Sequence, residues 1–143
     1  MRFSTKGRYA LRMMIDLAQH NTGEYISLKE ISKRQEVSVK YLEQIVTQLC
    51  KSGFLQSIRG PQGGYRLAKH PTEYTAGDIL RATEGSLAPI PCLKEDAAVC
   101  SRYARCGSIQ FWEGLAMVMN NYVDSITLDD LLRQCQGAPS DSA

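Results

Sequence analysis

Residues 27–67 read SLKEISKRQEVSVKYLEQIVTQLCKSGFLQSIRGPQGGYRL, and this stretch decides the fold. Ser27-Leu28-Lys29-Glu30 has the form of a capping box, so a helix starts at Leu28. It is short, because Gln35-Glu36-Val37 interrupts the apolar spacing set by Leu28 and Ile31. Ser38 offers a second N-cap. From Val39 to Ser52 the apolar Leu42, Ile45, Val46 and Leu49 recur at helical spacing, and Gly53 supplies the stop. At about 100° per residue, Lys40, Gln44, Thr47 and Lys51 line the opposite face, with Glu43 and Gln48 beside them.

A basic, amide-bearing face suits solvent as well as it suits DNA. Gln can bond an adenine edge twice, Glu can accept from cytosine, and Lys meets phosphate or guanine. The next residues tip the balance toward DNA. Phe54–Ile58 is a β-prone alternating run, Arg59-Gly60-Pro61-Gln62-Gly63-Gly64 is a turn cluster, and Tyr65-Arg66-Leu67 is a return strand. An Arg at such a tip suits the negative potential of a narrow minor groove. Helix, helix, strand, glycine-rich tip, strand is the order of a winged helix-turn-helix. The expected fold is therefore mainly α with a small β-hairpin wing, followed by a long C-terminal dimerisation helix.

The net charge of +2 over 143 residues conceals an asymmetry. Residues 1–70 hold 12 Lys and Arg against 5 Asp and Glu, whereas residues 71–143 hold 5 against 10. A basic half that coincides with the winged motif is the electrostatic footprint of phosphate binding. No apolar run approaches the ~20 residues of a membrane span, and Met1-Arg2-Phe3-Ser4-Thr5-Lys6 lacks a signal-peptide core. The expectation is a cytoplasmic protein without membrane contact.

A first helix is predicted over residues 5–20. Tyr9, Ala10, Met13, Met14, Leu17 and Ala18 give it an apolar face, while Arg2, Lys6, Arg8 and Arg12 bring positive charge. Arg2 and Lys6 are candidate phosphate contacts. The winged unit is bounded at residue 71, where Pro71 blocks continuation. Residues 72–91 read as a helix and a linker, residues 92–107 as a cysteine loop, and residues 108–134 as a long helix and a short terminal helix. Residues 135–143 read as a frayed tail. In the long helix Ile109, Trp112, Leu115, Ala116, Met119, Tyr122 and Val123 follow 3–4 spacing. So much apolar surface in so small a chain marks a homodimer face, with Ile109, Trp112, Leu115, Ala116, Met119 and Val123 as its candidate residues and an internal core helix as the other use of the same pattern.

Five cysteines and no signal peptide argue against a disulfide framework. Cys92, Cys100 and Cys106 fall within fifteen residues, beside Lys94, Arg102 and Arg105, which favour thiolates. Thiolates suit iron–sulfur clusters and zinc. The spacing is too long for the paired cysteines of a zinc ribbon, which tilts toward a cluster. Spacing alone also admits a thiol redox site or three unliganded cysteines. An enzyme with a reactive Cys is disfavoured, because no Cys has a local His or Asp partner. A zinc-stabilised protein-interaction module is the alternative from another class.

These motifs resemble the iron–sulfur cluster regulator family, IscR-like winged helix-turn-helix transcription regulators whose relatives include CymR and NsrR. The resemblance covers about residues 1–133. It is carried by Ser4-Thr5-Lys6-Gly7-Arg8-Tyr9-Ala10, Tyr41-Leu42-Glu43-Gln44, Arg59-Gly60-Pro61-Gln62-Gly63-Gly64-Tyr65 and Ile126-Thr127-Leu128-Asp129-Asp130-Leu131. It implies a homodimer on palindromic promoter DNA. Glu43 and Gln44 would read bases with Ser38, Lys40 and Tyr41 nearby, and Arg59 with Gly60 would enter the minor groove. It also implies that Cys92, Cys100 and Cys106 hold an iron–sulfur cluster, [2Fe–2S] in preference to [4Fe–4S], and that the protein represses cluster-assembly genes. A cysteine-metabolism or nitric-oxide-responsive repressor is the alternative within the family. Ile109 stands where the iron–sulfur regulator proper has a His, and Thr5-Lys6-Gly7-Arg8 offers no carboxylate. The fourth ligand stays open among Glu43, Glu95, Asp96, a partner's group or a small molecule.

Overall fold

The computed structural model describes residues 3–137, so the expected phosphate-binding Arg2 and tail residues 138–143 lie outside it. Six helices and one hairpin follow in order: α1 (Thr5–Gln19), α2 (Leu28–Gln35), α3 (Val39–Lys51), β1 (Leu55–Ile58), β2 (Gly64–Leu67), α4 (Ala76–Glu84), α5 (Ile109–Ser125) and α6 (Leu128–Gly137). The architecture is mainly helical with an antiparallel two-stranded wing, as the sequence predicts.

Local chemistry sets the helix starts. Ser4, Ser27 and Ser38 each cap a helix, with the hydroxyl oxygen accepting from the amides of Gly7, Glu30 and Tyr41. Thr75 with Asp78 and Thr127 with Asp130 form reciprocal boxes, each with both bonds at 2.9–3.0 Å. Such boxes satisfy two backbone donors that a helix start otherwise leaves open. The α2–α3 turn bends through Glu36, whose φ of +56° is left-handed.

One core joins the elements. Met13, Met14 and Leu17 of α1, Ile31 of α2, Leu42, Ile45 and Leu49 of α3, Tyr74, Ile79 of α4 and Leu128 of α6 are almost completely buried. Each such aliphatic side chain contributes about 1.5–3 kcal/mol on leaving water. Tyr74 also ties the hairpin base down, donating to the Phe54 carbonyl at 2.7 Å and accepting from the Lys69 amide at 3.0 Å.

The core runs past the boundary expected at residue 71, because α4 and α6 both pack on α1. Leu128 reaches it through an isolated bridge between Thr75 and Thr127. The expected tail begins too early: α6 continues through Cys135 to Gly137. Ile26 pairs with Tyr65 through amide–carbonyl bonds of 2.8 and 2.9 Å. The hairpin thereby gains a partial third strand, which fixes the wing to the start of α2.

Asp16 latches α1 to α2. Its carboxylate is 1% exposed and accepts from Arg34 at 2.7 and 3.0 Å and from Gln35 at 2.9 Å. Arg12 adds bonds to the side-chain and backbone oxygens of Gln35. Arg34 and Gln35 immediately precede the turn into α3, so this network sets the angle at which α3 leaves the body.

Candidate nucleic-acid interface

α3 divides as its periodicity demands. Leu42, Ile45, Val46 and Leu49 are buried, and Lys40, Glu43, Gln44, Thr47 and Lys51 are exposed. Ser38 is exposed at the N-terminus, and Tyr41 is half-buried, packed edge-on against Tyr9 with ring centroids 5.8 Å apart. Gln48 turns inward far enough to bury its Oε1 without a hydrogen-bond partner. Cys50 is half-buried between the two faces, and burial pushes its thiol pKa up, which suits an inert packed side chain.

The wing tip is set by backbone geometry. β1 and β2 pair with Leu55 opposite Leu67 and Ile58 opposite Gly64. Gly60 has φ of +115°, which a side chain would strain, and its carbonyl accepts from Gly63 at 2.8 Å to close the turn. Arg59 is exposed at this tip beside Gly60, Pro61 and Gln62. Arg66 is held elsewhere, stacked on Tyr25 at 4.4 Å and bonded to Gln56 and the Gly23 carbonyl. It braces the wing, whereas Arg59 remains available. In α1, Lys6 is half-buried and Arg8 exposed, both within the first turn beyond the Ser4 cap.

The predicted dimer residues divide. Ile109 is buried within the chain, so its side chain is inaccessible to a partner in this conformation. Trp112, Leu115, Ala116, Met119 and Val123 are half-buried. Met119 and Val123 line a largely apolar cavity with Phe3, Arg8, Leu11, Leu80 and Tyr122. Arg81 of α4 clamps α5 through Asp124 at 2.6 and 3.0 Å and Asn120 at 2.8 Å. The outward stripe is turned from the predicted one: Phe111, Val118 and Tyr122 are each about two-thirds exposed, and Leu115 sits between them. Their i, i+7, i+11 spacing is as helical as that of the predicted set, so periodicity could not choose between them.

All three loop cysteines are free. Cys92 and Cys100 are exposed, and Cys106 is half-buried. The Cys106 thiol pKa is lowered by the Ser108 hydroxyl first, then by the Ser108 and Ile109 amides and by Arg102. Tyr103 ties the loop to α5 by donating to Glu113. Among the described residues, no group of three or more His, Cys, Asp or Glu side chains converges to hold a metal ion. Also among them, no helix is long and apolar enough to cross a membrane.

The comparisons with known proteins agree with this geometry. The Rrf2 family profile, described as "Iron-dependent Transcriptional regulator", matches residues 3–134. Protein rrf2 of Nitratidesulfovibrio vulgaris is 36% identical, with 99% of this chain and 94% of that protein covered. The HTH-type transcriptional regulator IscR of Photobacterium profundum is 36% identical, over 93% of this chain and 76% of that one. Among solved structures, the global cysteine regulator CymR of B. subtilis superposes with a TM-score of 0.71 at 39% identity, covering 94% of this chain and 98% of its own. T. potens IscR superposes with a TM-score of 0.72 at 38% identity, covering 98% and 94%. The chain belongs to the Rrf2 family of winged-helix transcription regulators, which bind DNA and are not enzymes.

Proposed function

We propose that this protein is a homodimeric repressor of palindromic promoters whose DNA occupancy follows iron–sulfur status, with cluster-assembly genes among its targets. The observation that carries the DNA part is the joint exposure of two elements: the Lys40–Glu43–Gln44 face of α3 and Arg59 at the wing tip. Glu43 and Gln44 read base edges, Lys40 and the Ser38 end of α3 meet phosphate, and Arg59 with Gly60 enters the minor groove. Tyr41 holds the α3 N-terminus against Tyr9 on α1. The exposed Phe111–Val118–Tyr122 stripe supports pairing through α5, with Leu115, Met119 and Val123 at its edge.

Cys92, Cys100 and Cys106 would hold the cluster. The donor set fits in chemistry: three free thiols, one with its pKa lowered, among Lys94, Arg102 and Arg105. The thiols do not converge in the present conformation, so ligation requires residues 92–107 to rearrange. When bound, the cluster supplies a ligation state that depends on iron, sulfide and oxidants. A helix start at Ile109 and the Tyr103–Glu113 bond connect the loop to α5.

The test is anaerobic purification with iron, sulfide and visible-absorption analysis. The expected result is stoichiometric iron and sulfide with thiolate-to-iron bands, lost in Cys92→Ala, Cys100→Ala and Cys106→Ala. Wild-type protein without iron and sulfide under those conditions contradicts the cluster reading. Zinc in their place favours the zinc-stabilised alternative.

A further inference from the structure

Glu84, the last residue of α4, sits at the start of a helix eighty residues away. Its Oε1 accepts from the Ser4 amide at 2.9 Å and from the Ser4 hydroxyl at 2.6 Å. The same hydroxyl oxygen accepts from the Gly7 amide at 3.2 Å and caps α1. α1 has no acidic residue in its own first turn, so Glu84 supplies the negative charge that the helix N-terminus favours. The approach depends on Gly7: a Cβ there would lie 2.2 Å from the Glu84 Oε1. Lys6 and Arg8 flank that glycine.

We infer that Glu84 is a positioning residue for DNA, fixing the first turn of α1 through Ser4 so that Lys6 meets the phosphate backbone. It touches no nucleic acid itself. This inference rests on the reading of the α1 N-terminus as a phosphate contact. The carboxylate alone would repel DNA, so its deletion should strengthen binding if charge were its whole effect. A positioning role reverses that sign.

The experiment uses the full chain and a mixed-sequence duplex, with affinity measured across a salt series. Removing one phosphate contact lowers the slope of log affinity against log salt by roughly 0.9. Lys6→Ala lowers the slope and calibrates the assay. Glu84→Ala and Gly7→Ala each lower it as well, and the double variant lowers it no further than either alone. Gly7→Ala changes no charge and gives α1 a better helix former, so instability of α1 does not account for its effect. Loss of thermal stability alone moves the melting curve and leaves the slope where it was. A slope unchanged in Glu84→Ala and Gly7→Ala, with Lys6→Ala lowering it, overturns the inference. A slope unchanged in Lys6→Ala overturns the phosphate reading of α1 and the inference with it. If Glu84→Ala does not fold, Gly7→Ala decides.

Discussion

Asp16→Asn lowers the unfolding free energy by about 2–3 kcal/mol, a fall of roughly 5–10 °C in melting temperature for a chain of this size. Removing one partner of a buried ion pair costs about 3–5 kcal/mol, and the solvent that reaches Arg34 screens part of it. Arg34 is 32% exposed while Asp16 is 1% exposed, so the larger cost falls on the carboxylate side. Asn cannot accept from Arg34 and Gln35 together as an ion does. The effect is also pH-dependent. Burial alone would raise the Asp16 pKa, but hydrogen bonds from Arg34 and Gln35, then the charges of Arg34 and His20, hold it below the usual carboxylate range. A lowered folded pKa stabilises the protein at pH above the unfolded value of about 3.9, and that contribution disappears as pH falls through the folded value. Thermal melts from pH 7 into the acid range check it. The gap between wild type and Asp16→Asn starts to close below about pH 4 and closes fully only below the lowered folded pKa, whereas a gap that persists unchanged through acid contradicts the latch.

Gly64→Ala unseats the wing. An added Cβ would lie 2.2 Å from the Ile26 carbonyl oxygen, 2.4 Å from its carbon and 2.8 Å from the Ser27 nitrogen. All three are backbone atoms, so no side chain can swing aside. Overpacking of this kind costs about 1–3 kcal/mol, and here the upper end is expected because the Ile26–Tyr65 bridge must separate. Hydrogen exchange reads the loss directly, as the paired amides of Ile26 and Tyr65 lose protection. Promoter affinity falls about tenfold or more, since weakening the wing's hold on DNA by about 1.4 kcal/mol is a factor of ten. Retained protection at both amides, with affinity unchanged, would mean that the wing does not depend on this seat.

Much of the DNA-facing half was legible from sequence because its signals are local. Ser27 and Ser38 announce helix starts within four residues, and Gly60 and Gly63 announce the tight tip. What escaped depends on distant partners. Asp16 sits inside an apolar run, and only the fold reveals that Arg34 and Gln35 complete it. The Glu84–Ser4 contact spans eighty residues. Tyr65 pairs with Ile26 because a hairpin laid against the α2 entrance brings them together, which no alternation within either segment predicts. The apolar residues of α5 span about half its circumference, wider than any one contact stripe, so its pattern could not say which part faces α4. The three cysteines share a segment, but thiols separated by short 3-10 turns need not point at one centre, and here they do not.

In the proposed function, α3 and the wing of a symmetric dimer read a specific duplex. Repeated selection of bound fragments from a random-sequence duplex pool tests it and requires no operator to be chosen in advance. The wild-type protein should enrich a palindrome whose half-sites are spaced by the two α3 helices, with A·T-rich flanks where Arg59 enters the minor groove. Arg59→Ala should bind that palindrome more weakly and lose the flank preference. A wild-type pool that stays random, both with iron and sulfide supplied and with them withheld, would contradict the account.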